Sequence, residues 1–168
     1  MKLEQKRWTQ KDGWKQFSAT ALTEKPQLVL VFGATALLKE PARFGEIKSF
    51  YPEAHIVMTS TAGEILGTEV DDNTLALTAV HFEKTKLEFT QTKVTFPEES
   101  ELAGATLAKA LPPQGLMHVV VFSEGLSING TALVSGLINN LPATVVVTGG
   151  LAGNGAEFKE TVIGLDAP

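Results

Sequence analysis

The 168-residue sequence predicts an α/β fold, a mixed β-sheet with flanking helices built from an internal β-α-β-β repeat whose second copy is incomplete. Three observations lead there. Short apolar runs rich in β-branched residues, QLVLVFG (27–33), HIVMTS (55–60), MHVVVFS (117–123) and TVVVTG (144–149), have the length of buried strands. Between them lie segments whose apolar residues recur at helical spacing. A shift of 90 residues then superposes Val29 on Val119, Val31 on Val121, Phe32 on Phe122, Pro52 on Pro142, Val57 on Val147, Ala62 on Ala152 and Gly63 on Gly153, without a gap from 27 to 65. Valines recur in any pair of strands, but the shared Pro and Ala-Gly positions are not generic.

In chain order, residues 1–26 form an N-terminal segment in which Trp8, Trp14 and Phe17 are packing residues and the lysines a solvated face. After the strand at 27–33, Leu37 and Leu38 begin a helical stretch that resumes at Pro41 and carries Phe44, Ile47 and Phe50 before Tyr51-Pro52 ends it. The next strand is 55–60, and 74–96 reads as two antiparallel strands turning around Glu83 to Lys86. Glu98, Glu99 and Glu101 favour a helix start, and that helix runs through Leu102 and Leu107 to Pro112-Pro113. A strand at 117–123, a helix at 129–141, a strand at 144–149 and a last strand at 161–165 complete the chain. No linker divides it, so a single domain is expected, with repeat one at 27–112 and a partial repeat two at 117–168. The missing end of repeat two leaves the strand at 161–165 as an open sheet edge, through which a homodimer is expected.

Composition narrows the function. With 43% hydrophobic and 20% charged residues the chain can build a core. It has no run long enough to span a bilayer and no apolar leader at its N-terminus, which points to the cytoplasm. The absence of cysteine removes disulfides, thiolate zinc sites and thiol nucleophiles. Residues 1–50 carry nine Lys or Arg and five acids, whereas 51–168 carry five and fourteen. The basic, tryptophan-containing start resembles a small nucleic-acid patch, but an acidic body repels phosphate backbones and no nucleic-acid partner is expected.

Catalytic motifs fail one by one. No Lys follows either glycine cluster as a P-loop requires, and residues 150–155 lack the dinucleotide spacing. Neither Ser60 nor Ser123 sits in Gly-x-Ser-x-Gly. His55, His81 and His118 have no metal-ligand spacing and read as structural, though His81 or His118 could serve haem as an axial ligand. Asp71-Asp72-Asn73 is turn chemistry. What remains are two equivalent loops beyond strand ends, where ligands of α/β sheets bind. The first holds Ser60, Thr61, Ala62, Gly63 and Glu64; the second holds Gly149, Gly150, Gly153 and Asn154; Ser123 and Glu124 follow a third strand. Backbone N–H groups at glycines can hold a carboxylate, the hydroxyls can donate, and Glu64 or Glu124 could meet an ammonium. Together these describe an amino acid.

The segments STAGEILG, VDDNTLALTAVHF and VVVFSEGLSINGTALVSGLINNLPATVVVTGGLAGNGAEFKETVI resemble the N-terminal part of the FIST family, named for F-box and intracellular signal transduction proteins, from Leu28 to Ile163. The resemblance implies a non-catalytic sensory domain of signalling proteins that binds a small ligand such as an amino acid, with some members binding haem and sensing nitric oxide. Relatives carry a further C-terminal part that does not follow here, so either output is expected through a separate signalling partner or the sequence is expected to be a truncated piece of a longer one. Many relatives have a small residue or Cys where Thr59 stands. Three rival functions remain open: a haem-based gas sensor, a hydrolase acting through Ser60 or Ser123, and a scaffold without a ligand.

Overall fold

A computed structural model describes residues 1–167. The chain forms two compact units, one of Met1–Leu87 with the residues from Ala152 onward, the other of Glu88–Leu151. The mixed α/β architecture expected from the sequence is present.

The first unit is a six-stranded mixed sheet. Its centre is β3 (Leu28–Gly33), parallel to β4 (His55–Ser60) and antiparallel to β7 (Leu75–His81). Two helices join β3 to β4: α1 (Thr35–Leu38), and α2 (Pro41–Phe50), which starts on Pro41 where the missing N–H costs nothing. Strand alternation turns Val29, Val31, Ile56, Met58, Leu75, Leu77 and Ala79 to one face, where they pack with Leu37, Leu38, Ile47 and Tyr51. Each large side chain buried there contributes about 1.5–3 kcal/mol.

The N-terminal segment is an antiparallel hairpin, β1 (Lys2–Thr9) and β2 (Gly13–Gln16), with Trp8 opposite Trp14. Trp8 is buried in the core and Trp14 packs against it. Lys2 pairs with Glu24, Arg7 with Glu69 and Asp71, and Lys15 with Asp12, so much of the basic charge is matched within the chain. A buried carboxylate, Glu4, accepts from the Tyr51 hydroxyl at 2.6 Å and from the Leu22 N–H at 3.1 Å. Burial first, and then the bond to Glu4, push the Tyr51 phenol far above its usual range.

This hairpin corrects one expectation. The antiparallel partner of β7 is not 86–96, which holds no strand, but β1, with Lys2 opposite His81 and Trp8 opposite Leu75. The edge of β7 is already taken when the chain reaches 86. The sheet closes in the order β10-β4-β3-β7-β1-β2, where β10 (Ile163–Leu165) is antiparallel to β4. That last strand lies at a sheet edge as expected, but it is the edge of the first unit's sheet, on β4, and not the unfinished end of a second repeat. A short hairpin, β5 (Glu64–Leu66) with β6 (Glu69–Asp71), follows β4.

The second unit begins with a 3-10 turn at Pro97–Glu99 that leads into α3 (Ser100–Ala110). It continues with β8 (His118–Ser123), α4 (Gly130–Ile138) and β9 (Val146–Leu151). Asn129 caps α4, its side chain accepting from the Ala132 N–H at 3.0 Å. The strands β8 and β9 are parallel, and α3 packs on α4 around Ala103, Ala108, Leu133 and Leu137.

Both units contain strand, helix and parallel strand, yet the structure does not reproduce the repeat at the 90-residue offset. Val29 pairs with Ile56, whereas Val119 pairs with Val147, one residue beyond the offset position. The strand after each pair also differs: β7 pairs with β3, whereas β10 pairs with β4 in the first unit.

Candidate functional site

The carboxyl ends of β3 and β4 converge on one small region of the first unit, to which the segment after β9 returns. The Thr61 N–H donates to the Gly33 carbonyl at 3.1 Å, and the Gly153 N–H donates to the Ser60 carbonyl at 2.9 Å. The two Ala-Gly segments therefore meet. The approach is so close that a Cβ built on Gly153 would lie 3.1 Å from the Ala62 nitrogen and 3.4 Å from the Ala62 Cβ. Gly63, with φ of 147°, holds a backbone conformation that side chains rarely adopt and turns the chain into β5. Asn154 completes the rim, its carboxamide oxygen accepting from the Thr35 hydroxyl at 3.1 Å. Ala62, Gly63, Gly153 and Asn154 thus come together at the end of a parallel strand pair.

The polar side chains of this region face inward. Ser60 has no exposed surface; its hydroxyl accepts from the Val162 N–H at 2.9 Å, and its own N–H donates to the Val162 carbonyl at 2.9 Å. Glu64 is 3% exposed and accepts three hydrogen bonds, from the Thr61 hydroxyl at 2.7 Å, the Thr74 N–H at 3.1 Å and the Thr74 hydroxyl at 3.0 Å. A carboxylate so occupied organises the turn that carries Ala62 and Gly63. Thr59, its side chain on the opposite face of β4, is buried, and its hydroxyl has no hydrogen-bond partner.

The remaining predicted site residues lie in the second unit. Gly149 and Gly150 are not loop residues: β9 extends to Leu151, two residues past the strand expected from the sequence. Gly149 serves the strand pair, because a Cβ there would overlap the Val121 carbonyl of β8, while Gly150 has open space beside it. The valine run gave no sign of this extension, since glycines usually end a strand. Ser123 ends β8 opposite Leu151. Glu124 accepts from the backbone N–H groups of Leu126 and Ser127, closing its own turn.

The histidines are dispersed. The His81 Nδ1 lies 2.9 Å from the Lys25 carbonyl, and the His118 Nε2 lies 2.8 Å from the Thr148 hydroxyl. The His55 Nδ1 lies 2.7 Å from Asp166, which also accepts from the Ile56 N–H at 2.8 Å. Burial raises the Asp166 carboxyl, but the Ile56 N–H, His55 and Lys48 outweigh it and hold the group below the usual carboxylate value. Among the described residues no three His, Asp or Glu side chains gather as a metal site, and no helix is long and apolar enough to cross a membrane.

Thr35 and Thr74 belong to the site and escaped the sequence reading. Each finds its partner far along the chain or across a turn, and a single threonine carries no signal of such pairing.

No curated protein and no solved structure matches the chain significantly. The FIST N domain family model matches residues 27–167, a span that takes in the parallel strand pairs of both units and the Ala62–Gly153 contact. With most of its length matched, the chain belongs to the FIST N domain family, a family of sensory domains implicated in signal transduction.

Proposed function

We propose that this chain is an intracellular, non-catalytic sensor domain that binds a small ligand bearing a carboxylate, with an amino acid the leading class. The observation that carries the reading is the meeting of the two Ala-Gly segments. It brings the backbone of Ala62, Gly63 and Asn154 together at the end of a parallel strand pair, where N–H groups can hold an anion, while the Gly153 N–H is taken up by the Ser60 carbonyl and fixes the approach. Glu64 and Ser60 are already bonded within the protein, so their part is to hold this backbone in place rather than to touch the ligand. The ligand's amino group would then be met by backbone carbonyls or by the Asn154 side chain. A hydrolase acting through Ser60 is disfavoured because that hydroxyl is fully buried and accepts a backbone N–H.

The test is native mass spectrometry of the purified chain, followed by titration with the twenty amino acids and their decarboxylated amines. The reading expects at least one amino acid to bind while its amine does not. Equal binding of the amine, or binding by no amino acid, contradicts it.

A further inference from the structure

The segment that carries Asn154 continues as an arch to Thr161, and its attachments are unlike those of the rest of the first unit. Gly155, Ala156, Glu157, Phe158, Lys159 and Glu160 are all exposed, and none of them enters the core. The base of the arch is fastened to β4, by Gly153 to the Ser60 carbonyl and by Val162 to both the backbone and the hydroxyl of Ser60. The arch itself is held to α1 by two polar side-chain contacts. One is Thr35 to Asn154; the other is Lys39, whose ammonium lies 2.9 and 2.8 Å from the two carboxylate oxygens of Glu160. Both members of that ion pair are about half exposed. Phe158 is 76% exposed with φ of 50°, a left-handed conformation that a non-glycine residue keeps only under constraint.

We infer that residues 154–161 are a strap over the ligand cradle, latched to α1 by Lys39–Glu160 and Thr35–Asn154, which opens and closes as a unit to regulate access. The physical basis is a contrast in what resists opening. Core residues on either side must expose apolar surface to move, whereas the exposed stretch 155–160 is tied to α1 through polar contacts that include one exposed ion pair and the hydrogen bond at its base. Its rigid ends at Ser60 confine the motion to the exposed stretch. The inference rests on the proposed site for what the strap covers, but the latch can be read with no ligand present.

The experiment is hydrogen–deuterium exchange by mass spectrometry on the whole chain, comparing the wild type with Lys39→Met, Glu160→Gln and the charge swap Lys39→Glu/Glu160→Lys. Each single variant is expected to raise exchange in peptides covering 154–161 about two- to fivefold, the scale of one exposed ion pair, with β4 and β7 unchanged. The swap should return exchange toward the wild-type rate. Raising sodium chloride to 1 M should reproduce the single-variant effect in the wild type and add little to Lys39→Met. Unchanged exchange at 154–161 in both single variants, or a rise spread over β4 and β7, overturns the latch. Because no ligand enters the measurement, such a failure leaves the binding reading standing, and failure of the amino-acid titration leaves the latch standing.

Discussion

The two units fill their interiors by different means. In the first, Leu38 and Ile47 from helices pack on Ile56, Met58, Leu75 and Leu77 across a six-stranded sheet, and the buried Glu4, Ser60 and Glu64 find partners while the Thr59 hydroxyl does not. In the second, two helices approach backbone to backbone. A Cβ on Gly104 would overlap the Leu133 carbonyl, and one on Gly136 the Glu101 carbonyl. The second unit's parallel pair leaves Val120 56% and Val146 57% exposed, although parallel strands are ordinarily covered on both faces. The difference teaches where a precise binding site can be built. Backbone is held to a fixed geometry in the first unit, by sheet and core together, and the Ala62–Gly153 contact lies there.

The largest effect that would break this contrast is a cavity in the first core. Met58→Ala, at a site with no exposed surface, should cost about 2–5 kcal/mol in urea unfolding. A loss near zero would mean that the sheet is not what organises the unit. The corresponding change in the second unit adds volume instead. Gly136→Val should cost about 1–3 kcal/mol or more by forcing α3 from α4, with the loss reported by exchange in 100–138. Preserved protection there would show that the helices do not need their close approach.

A smaller effect sharpens the role of Glu64. Glu64→Gln keeps the shape and can leave its amide oxygen on the two Thr74 donors, but its N–H₂ then faces the Thr61 hydroxyl, which must turn to accept, and stability should fall by about 0.5–1.5 kcal/mol. The account predicts that ligand binding survives once the variant is folded. Loss of binding in a variant of unchanged stability would return Glu64 to a direct contact.

The smallest effect concerns the edge strand β10. The folded Asp166 carboxyl titrates below its ordinary value of 3.8, so its contribution is present above that pH and is lost as the solution is acidified through the depressed value. Exchange at 163–166 should rise on acidification in the wild type and be insensitive to pH over the same range in Asp166→Asn, after correction for intrinsic exchange. A parallel response in the two proteins would remove Asp166 as the tether.

Much of the first unit was legible because its signals are local. The apolar β-branched runs mark β3 and β4, as a like run marks β8 of the second unit, and Pro41 marks the start of α2. β10 was legible as a strand, but its partner β4 was not. What stayed hidden depends on pairing between distant segments. Lys2–Thr9 has only Leu3 and Trp8 among polar and charged residues and so shows no strand alternation, and nothing local says that it will take the edge of β7 before 86–96 can. The candidate site was found as a pair of Ala-Gly loops, but the division of labour within it was not. Whether Glu64 faces a ligand or Thr74, and whether Gly149 turns a loop or admits a neighbouring strand, is decided by partners that only folding supplies.

The proposed binding site depends on the Ala62–Gly153 contact for its shape. Thermal denaturation of the wild type, Gly153→Val and Gly150→Ala, each with and without the amino acid that binds most tightly in titration, tests it most directly. The ligand is expected to raise the Tm of the wild type and of Gly150→Ala alike and to leave folded Gly153→Val unmoved, because its side chain fills the space against Ala62. An equal ligand-induced rise in Gly153→Val would contradict the claim and place the site elsewhere.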